Sequence, residues 1–205
     1  MKLYCGPGAC SLSPHIVLRE LGLPFDLVRV DGKAKKTETG DDYWKINPKG
    51  AVPALQLDTG EVLTEGPAIV QYLADQKPEA GLAPKNGTLA RARLQEALNF
   101  LTSELHKAFG PLFTPGAGDE AKAAAKETIG KKLTYLESQF ADGRDYILGK
   151  DFSVADAYLF VLQNWTAFVG IDLKAWPHLA AFQGRIAARP KVREALVAEG
   201  LAKAA

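Results

Sequence analysis

Cys5 and Cys10 are the only two cysteines of the chain, and both lie in CGPGACSLSP, a Gly/Pro turn between an apolar, strand-like start, KLYC, and the helix-spaced run SPHIVLREL. A thiol acts as a nucleophile only when ionised, and at an ordinary pKa of about 8.5 it is only a few per cent thiolate at pH 7. Cys10 occupies the last turn position before the helix, where the opening N–H groups have no internal partner; Pro14 is tolerated in the first turn for the same reason. Lowering the thiol pKa by about two units takes about 2.7 kcal/mol. A partly buried helix end supplies up to about 2 kcal/mol, and one hydrogen bond to a charged sulfur about 1.5–3 kcal/mol. The sequence therefore predicts an acidified Cys10, set against the alternative of a small buried hydrophobe. Cys5 ends the strand with no helix behind it and reads as core.

These residues need a scaffold, and the first eighty positions supply one. KLYC, SPHIVLREL closed by Gly22, and FDLVRVD give a βαβ unit followed by a polar loop. AVPALQLD and EVLTE, joined by a turn containing Thr59 and Gly60, read as an antiparallel hairpin, and the helix PAIVQYLADQ follows. From KPEAGLAPKNG onward the strand pattern vanishes into Ala/Leu-rich helical sequence. The expected organisation is an α/β domain over residues 1–80, a linker at 81–87 and an all-α domain over 88–205. DEAKAAAKETIGKKL reads as a solvated surface helix, and FSVAD as a capping box from Ser153 to Asp156.

Composition narrows the function. Twenty-five Lys and Arg against 24 Asp and Glu leave a formal net charge of +1, with the charges interspersed, which argues against a nucleic-acid partner. The longest apolar runs, such as AYLFVL, are too short to cross a bilayer, and no charged and apolar leader precedes the first strand. The reading is a cytoplasmic protein with no membrane partner, and its two cysteines are too few for a disulfide scaffold.

Three further stretches could meet a ligand. In GAVPAL the Val52–Pro53 bond is one at which a cis peptide costs only about 0.5–1 kcal/mol, although a trans proline is the default. TEGPAIVQYL sets Glu65 and Gly66 ahead of a helix with Pro67 in its first turn, so that helix N–H groups could take a carboxylate and Glu65 an ammonium; an ordinary helix-start acid is the plainer reading. LARARLQEALNFLTSELHKAFGPLF, unrolled at about 100° per residue, separates an apolar stripe (Leu94, Leu98, Leu101, Leu105, Phe109, Leu112) from a charged one. Between them lies a neutral polar sector with Gln95, Asn99, Ser103, His106 and Gly110. A lone helical His such as His106 is more often structural than functional, and His15 and His178 read as structural.

PGACSLSPHI, NPKGAVPAL, LTEGPAIVQYLAD, NFLTSELHK and FSVADAYLF, in that order and spacing, together resemble the bacterial beta class of cytosolic glutathione transferases over nearly the whole chain. The resemblance implies a thioredoxin-like N-terminal domain, an all-helical C-terminal domain, a homodimer, and glutathione as co-substrate in the cleft between domains, with no metal. It implies a cis bond before Pro53 that turns the Val52 backbone toward the tripeptide, Glu65 on its amino group, the Gly66 N–H on its γ-glutamyl carboxylate and Lys35 on its glycyl carboxylate. Asn99, Ser103 and His106 match further glutathione positions. Cys10 and His106 become the catalytic pair. Phe113 and Trp165 are candidate walls for a hydrophobic electrophile, with core packing the plainer role for each. Many relatives carry Ser in place of Gly66, so one hydroxyl contact is missing here.

Three functions are compatible with this pattern. The first is a transferase that activates the glutathione thiol for attack on hydrophobic electrophiles, as in detoxification. The second is a glutathione-dependent disulfide reductase or reductive dehalogenase, since Cys10 to Ser13 spells C-x-x-S. The third is a non-catalytic binding or regulatory protein of the same family, against which the set of Cys10, Val52–Pro53, Glu65 and His106 argues.

Overall fold

The computed structural model describes residues 1–203 and divides into two compact units. The first comprises Met1–Ala80 together with the segment from Ala187 onward; the second is Gly81–Ile186.

In the first unit a five-stranded mixed sheet runs in the order β3-β2-β1-β4-β5. Strand β1 (Lys2–Cys5) is central, and its buried run of Leu3, Tyr4 and Cys5 is what a strand covered on both faces requires. It pairs in parallel with β2 (Asp26–Asp31) and antiparallel with β4 (Ala54–Gln56), which forms a hairpin with β5 (Val62–Thr64). The βαβ–ββα order expected from the sequence is present. Two small elements were not anticipated: β3 (Lys36–Thr37), on the outer edge of β2, and the single-turn helix α2 (Tyr43–Ile46). The first falls in the polar loop expected after FDLVRVD, and the second just beyond it.

Helix α1 (Leu12–Glu20) ends as Gly22 predicts. With φ of +60°, Gly22 lets its own N–H reach Arg19 O at 3.1 Å while the Leu23 N–H reaches Leu18 O at 3.1 Å, a Schellman closure. Helix α3 (Gly66–Gln76) packs beside α1. The sequence assigns the C-terminal segment to the helical domain. The last helix, α9 (Pro190–Ala198), instead lies on α1 in the first unit. Arg189 makes two hydrogen bonds to Glu20, at 2.7 and 3.0 Å. A second Schellman closure at Gly200 turns Leu201 toward Gly8.

The second unit is helical. Helix α4 (Leu89–Phe100) is capped by the Thr88 hydroxyl, which accepts from the Arg91 N–H at 3.2 Å. It runs into a π-helical segment, Leu101–His106, and α5 (Gly110–Phe113) follows, so the long helix expected over this stretch carries a wider turn in its middle. Of the predicted stripe, Leu94, Leu98, Leu101, Leu105 and Phe109 are fully buried, whereas Leu112, in α5, is only part-buried. Helix α6 (Asp119–Phe140), read as solvated, buries Ala125, Ile129, Leu133, Leu136 and Phe140 along one face; only its other face is wet. Helix α7 (Val154–Phe168) is buried over most of its length, and α8 (Pro177–Ala187) packs its Leu179, Phe182 and Ile186 inward. Asp156, fully buried at the start of α7, accepts hydrogen bonds from the Ser153 N–H, the Ser153 hydroxyl and the Ile147 N–H at 2.7–2.8 Å, so the box foreseen in FSVAD also ties down the preceding loop.

Candidate active site

In the first unit the turn from Gly6 to Ser11 is fixed by its own atoms. The Ser11 hydroxyl lies 3.1 Å from the Gly6 N–H and 3.2 Å from its carbonyl, which closes the loop and occupies that hydroxyl. The Tyr4 hydroxyl donates to Gln56 at 3.1 Å. Cys10 is part-buried, and its thiol donates to the Val52 carbonyl at 3.2 Å. Burial pushes this thiol up to about 11; the backbone N–H groups of Cys10 and Ser11 pull the other way, and Glu65 adds a further upward push. This corrects the acid thiol predicted from the helix N-terminus: the amides are in place, but loss of water around the sulfur outweighs them. Cys10 is therefore a neutral hydrogen-bond donor here. Cys5 is fully buried and pushed up to about 12, chiefly by that burial, in keeping with a core thiol.

Beside Cys10 the Val52–Pro53 bond is cis. The Ala51 carbonyl one residue earlier accepts from the Tyr43 hydroxyl at 2.9 Å and from the Asn47 side-chain amide at 2.7 Å, which pins the segment from below. The Val52 N–H has no protein partner among the described residues. Lys35, with φ of +53°, donates to the Gly50 carbonyl at 2.7 Å, and its ammonium lies 5.8 Å from the centre of the half-exposed Trp44 ring. Glu65 takes the left-handed φ of +69° at the N-cap of α3, and its carboxylate receives the Lys49 ammonium at 2.6 Å. A bulky residue pays for such a φ unless its surroundings demand it. The Gly66 N–H is an unpaired helix-start donor among the described residues, and a Cβ on Gly66 would meet only Pro53, at 3.9 Å. The structure thus gathers Cys10, Val52, Pro53 and Gly66, with Glu65 and Lys35 on the adjoining loops.

The second unit carries the other predicted residues. Asn99 and Ser103 are exposed one turn apart, and the Ser103 hydroxyl donates to the Asn99 carbonyl at 2.9 Å. His106 ends the π-helical segment; burial depresses its basicity, so the ring is neutral at neutral pH. Its edge meets the Trp165 ring, with centroids 4.7 Å apart at 73°. Trp165 also touches Phe109 and Phe113, each at 5.4 Å in T-shaped geometry. Trp165 is only 7% exposed and mainly packs, whereas Phe113 is 50% exposed and offers an apolar face.

Glutathione S-transferase domain families match both parts of the chain, the N-terminal domain over residues 8–76 and the C-terminal domain over 100–190. The glutathione S-transferase GstA of Escherichia coli O157:H7 is 48% identical over 201 residues, covering 98% of this chain and 100% of that protein. The chain belongs to the glutathione S-transferase family. Its solved relatives include a bacterial beta-class glutathione S-transferase of Sphingomonas chungbukensis, 58% identical with a TM-score of 0.96. A sphingomonad glutathione S-transferase complexed with glutathione is 57% identical with a TM-score of 0.95; each comparison covers 98% of this chain and 100% of the other. As a glutathione S-transferase, the chain has the thioredoxin-like sheet domain and the helical domain read from its sequence.

Several supporting residues of this glutathione S-transferase escaped the sequence reading. Tyr43 begins, and Asn47 immediately follows, a helix too short to show periodicity. Trp44 crowds Gly50 so closely that a Cβ there would fall 2.5 Å from the ring. Glu199, 191 positions from Gly8, accepts that glycine's N–H at 2.8 Å and the His15 Nδ1 at 2.7 Å, while Arg19 Nε donates to His15 Nε2 at 2.8 Å. Of the Glu199 contacts, only His15 was noted in the sequence, as a histidine read as structural.

Proposed function

We propose that this glutathione S-transferase binds glutathione along its first unit and presents the tripeptide's thiolate to a hydrophobic electrophile. The observation that carries the reading is the Cys10 thiol, neutral and already donating to Val52 at the N-terminus of α1. A glutathione sulfur beside that turn meets the positive end of the α1 dipole, and the Cys10 S–H, on turning from the Val52 carbonyl, donates to it; both favour its ionised form. Its proton leaves to solvent water and the sulfur remains as the nucleophile. The free Val52 N–H suits the peptide backbone as an added strand. The Gly66 N–H and the Glu65 carboxylate suit the γ-glutamyl carboxylate and ammonium, and the Lys35 ammonium suits the glycyl carboxylate. Asn99, Ser103 and His106 are assigned to glutathione by the family resemblance, and Phe113, packed against Trp165, offers an apolar face to the electrophile. By family, the working form is a cytoplasmic homodimer.

Disulfide reduction through Cys10 is disfavoured by the same observation, because a thiol held up to about 11 offers little thiolate at neutral pH. The test sets conjugation of chlorodinitrobenzene against reduction of a glutathione mixed disulfide. Conjugation that survives in Cys10→Ala at a reduced rate, with little reductase activity in the parent protein, fits the reading. Dominant reductase activity that vanishes in Cys10→Ala replaces it with the redox function.

A further inference from the structure

Tyr158 lies in α7 seven residues before Trp165, two helical turns along the same face, and both side chains meet one ring, that of His106. Tyr158 is 4% exposed, so its hydroxyl must find a partner inside the protein. That hydroxyl is 2.6 Å from His106 Nδ1. The other ring nitrogen, Nε2, has no protein partner among the described residues.

A neutral imidazole carries one proton, and the hydrogen bond made at one nitrogen decides what the other can do. Of the two groups facing each other, the phenol is the stronger acid and the imidazole nitrogen the stronger base. A separation of 2.6 Å falls within the range of O–H donors and short of that usual for N–H donors. The Trp165 ring packs against the imidazole, with centroids 4.7 Å apart at 73°.

We propose that Tyr158 is a positioning residue whose O–H donates to His106 Nδ1 and fixes the ring as the Nε2–H tautomer, making the free nitrogen a donor to an anionic ligand rather than a base. The functional half of this proposal rests on the reading above that His106 serves glutathione. Under it, the His106 Nε2–H is a neutral donor to the anionic tripeptide and does not take its proton.

The test is a nitrogen–proton correlation spectrum of the full-length protein labelled with 15N in its histidines. The chain has 3 histidines, and His106→Asn assigns the signal. The expected wild-type pattern is a neutral ring protonated at Nε2, with the Nδ1 resonance displaced by a hydrogen bond. Tyr158→Phe should return Nδ1 toward its free position and mix the tautomers. It should also lower kcat for chlorodinitrobenzene conjugation about 2- to 10-fold, the worth of one hydrogen bond, with a smaller change in KM for glutathione. A wild-type ring protonated at Nδ1 overturns the proposal, and that spectrum decides it even if the variant fails to fold. An unchanged ring signal in folded Tyr158→Phe overturns it equally. Full conjugation activity in His106→Asn, with the Nε2–H tautomer still seen in the parent, removes His106 from the service of glutathione and leaves the ring's positioning by Tyr158 intact.

Discussion

The surroundings of Cys10 and of His106 are built in different materials. Around Cys10 the working atoms belong to the main chain: the Val52 carbonyl and N–H, the Gly66 N–H, and the turns at Lys35 and Glu65, held at φ of +53° and +69°. Around His106 they belong to aromatic side chains on helices, namely Tyr158, Trp165, Phe109 and Phe113. A main-chain site is only as accurate as the remote groups that pin its loops, whereas a side-chain site inherits accuracy from the helices beneath it. The first unit accordingly uses Tyr43, Asn47, Ser11 and Glu199 to hold backbone around Cys10, whereas the side chains around His106 rest mainly on packing.

That contrast can be broken most severely at its buried carboxylates. Glu199→Ala strips partners from the Gly8 N–H and from fully buried His15, and should cost about 2–4 kcal/mol in denaturant unfolding while loosening the Cys10 turn. Asp156→Ala orphans the Ile147 and Ser153 amides and should cost about 2–3 kcal/mol while leaving the titration of Cys10 unmoved. Asp156 also sharpens the comparison through pH. Burial raises its carboxyl to about 6 from an ordinary value of 3.8. The folded state then binds the proton more tightly than the unfolded chain, so this group's contribution to stability is full below about 3.8 and is lost as pH rises through about 6. The difference in unfolding free energy between the parent and Asp156→Asn should slope over that window and flatten above it.

Smaller effects are expected at the loops. Gly50→Ala places a Cβ 2.5 Å from the Trp44 ring on a backbone with φ of +62° and should cost about 1–3 kcal/mol, with weaker retention on immobilised glutathione because the Lys35 contact at Gly50 shifts. Lys49→Met removes an exposed partner of Glu65 and should change stability by less than about 1 kcal/mol in a melting curve. A large loss there would mean that the exposed ion pair, rather than the loop's backbone, holds Glu65 in place.

The same division of materials explains what was legible in the sequence. Gly22, the Ser153–Asp156 box and the Leu94-to-Phe109 stripe are local signals, written within a few residues of the structure they specify, and each appears where it was expected. The buried face of α6 was hidden because alanines and lysines dominate the helix while Ile129, Leu133 and Leu136 carry the packing. The return of α9 to α1, and with it the Glu199 contacts, depends on residues nearly the whole chain apart, which no local pattern encodes. The direction of the Cys10 shift failed for a related reason. The helix amides that lower it can be read from SLSP, but the atoms that exclude water from its sulfur come from elsewhere in the fold.

The most direct measurement is therefore an ultraviolet thiolate titration of the ligand-free protein, parent against Cys10→Ser, so that the difference reports Cys10 alone. A signal that is absent at pH 7 and develops only toward about 11 is the predicted result. A Cys10 thiolate already formed at neutral pH would contradict the account, returning that side chain to the role of nucleophile and the protein to redox chemistry.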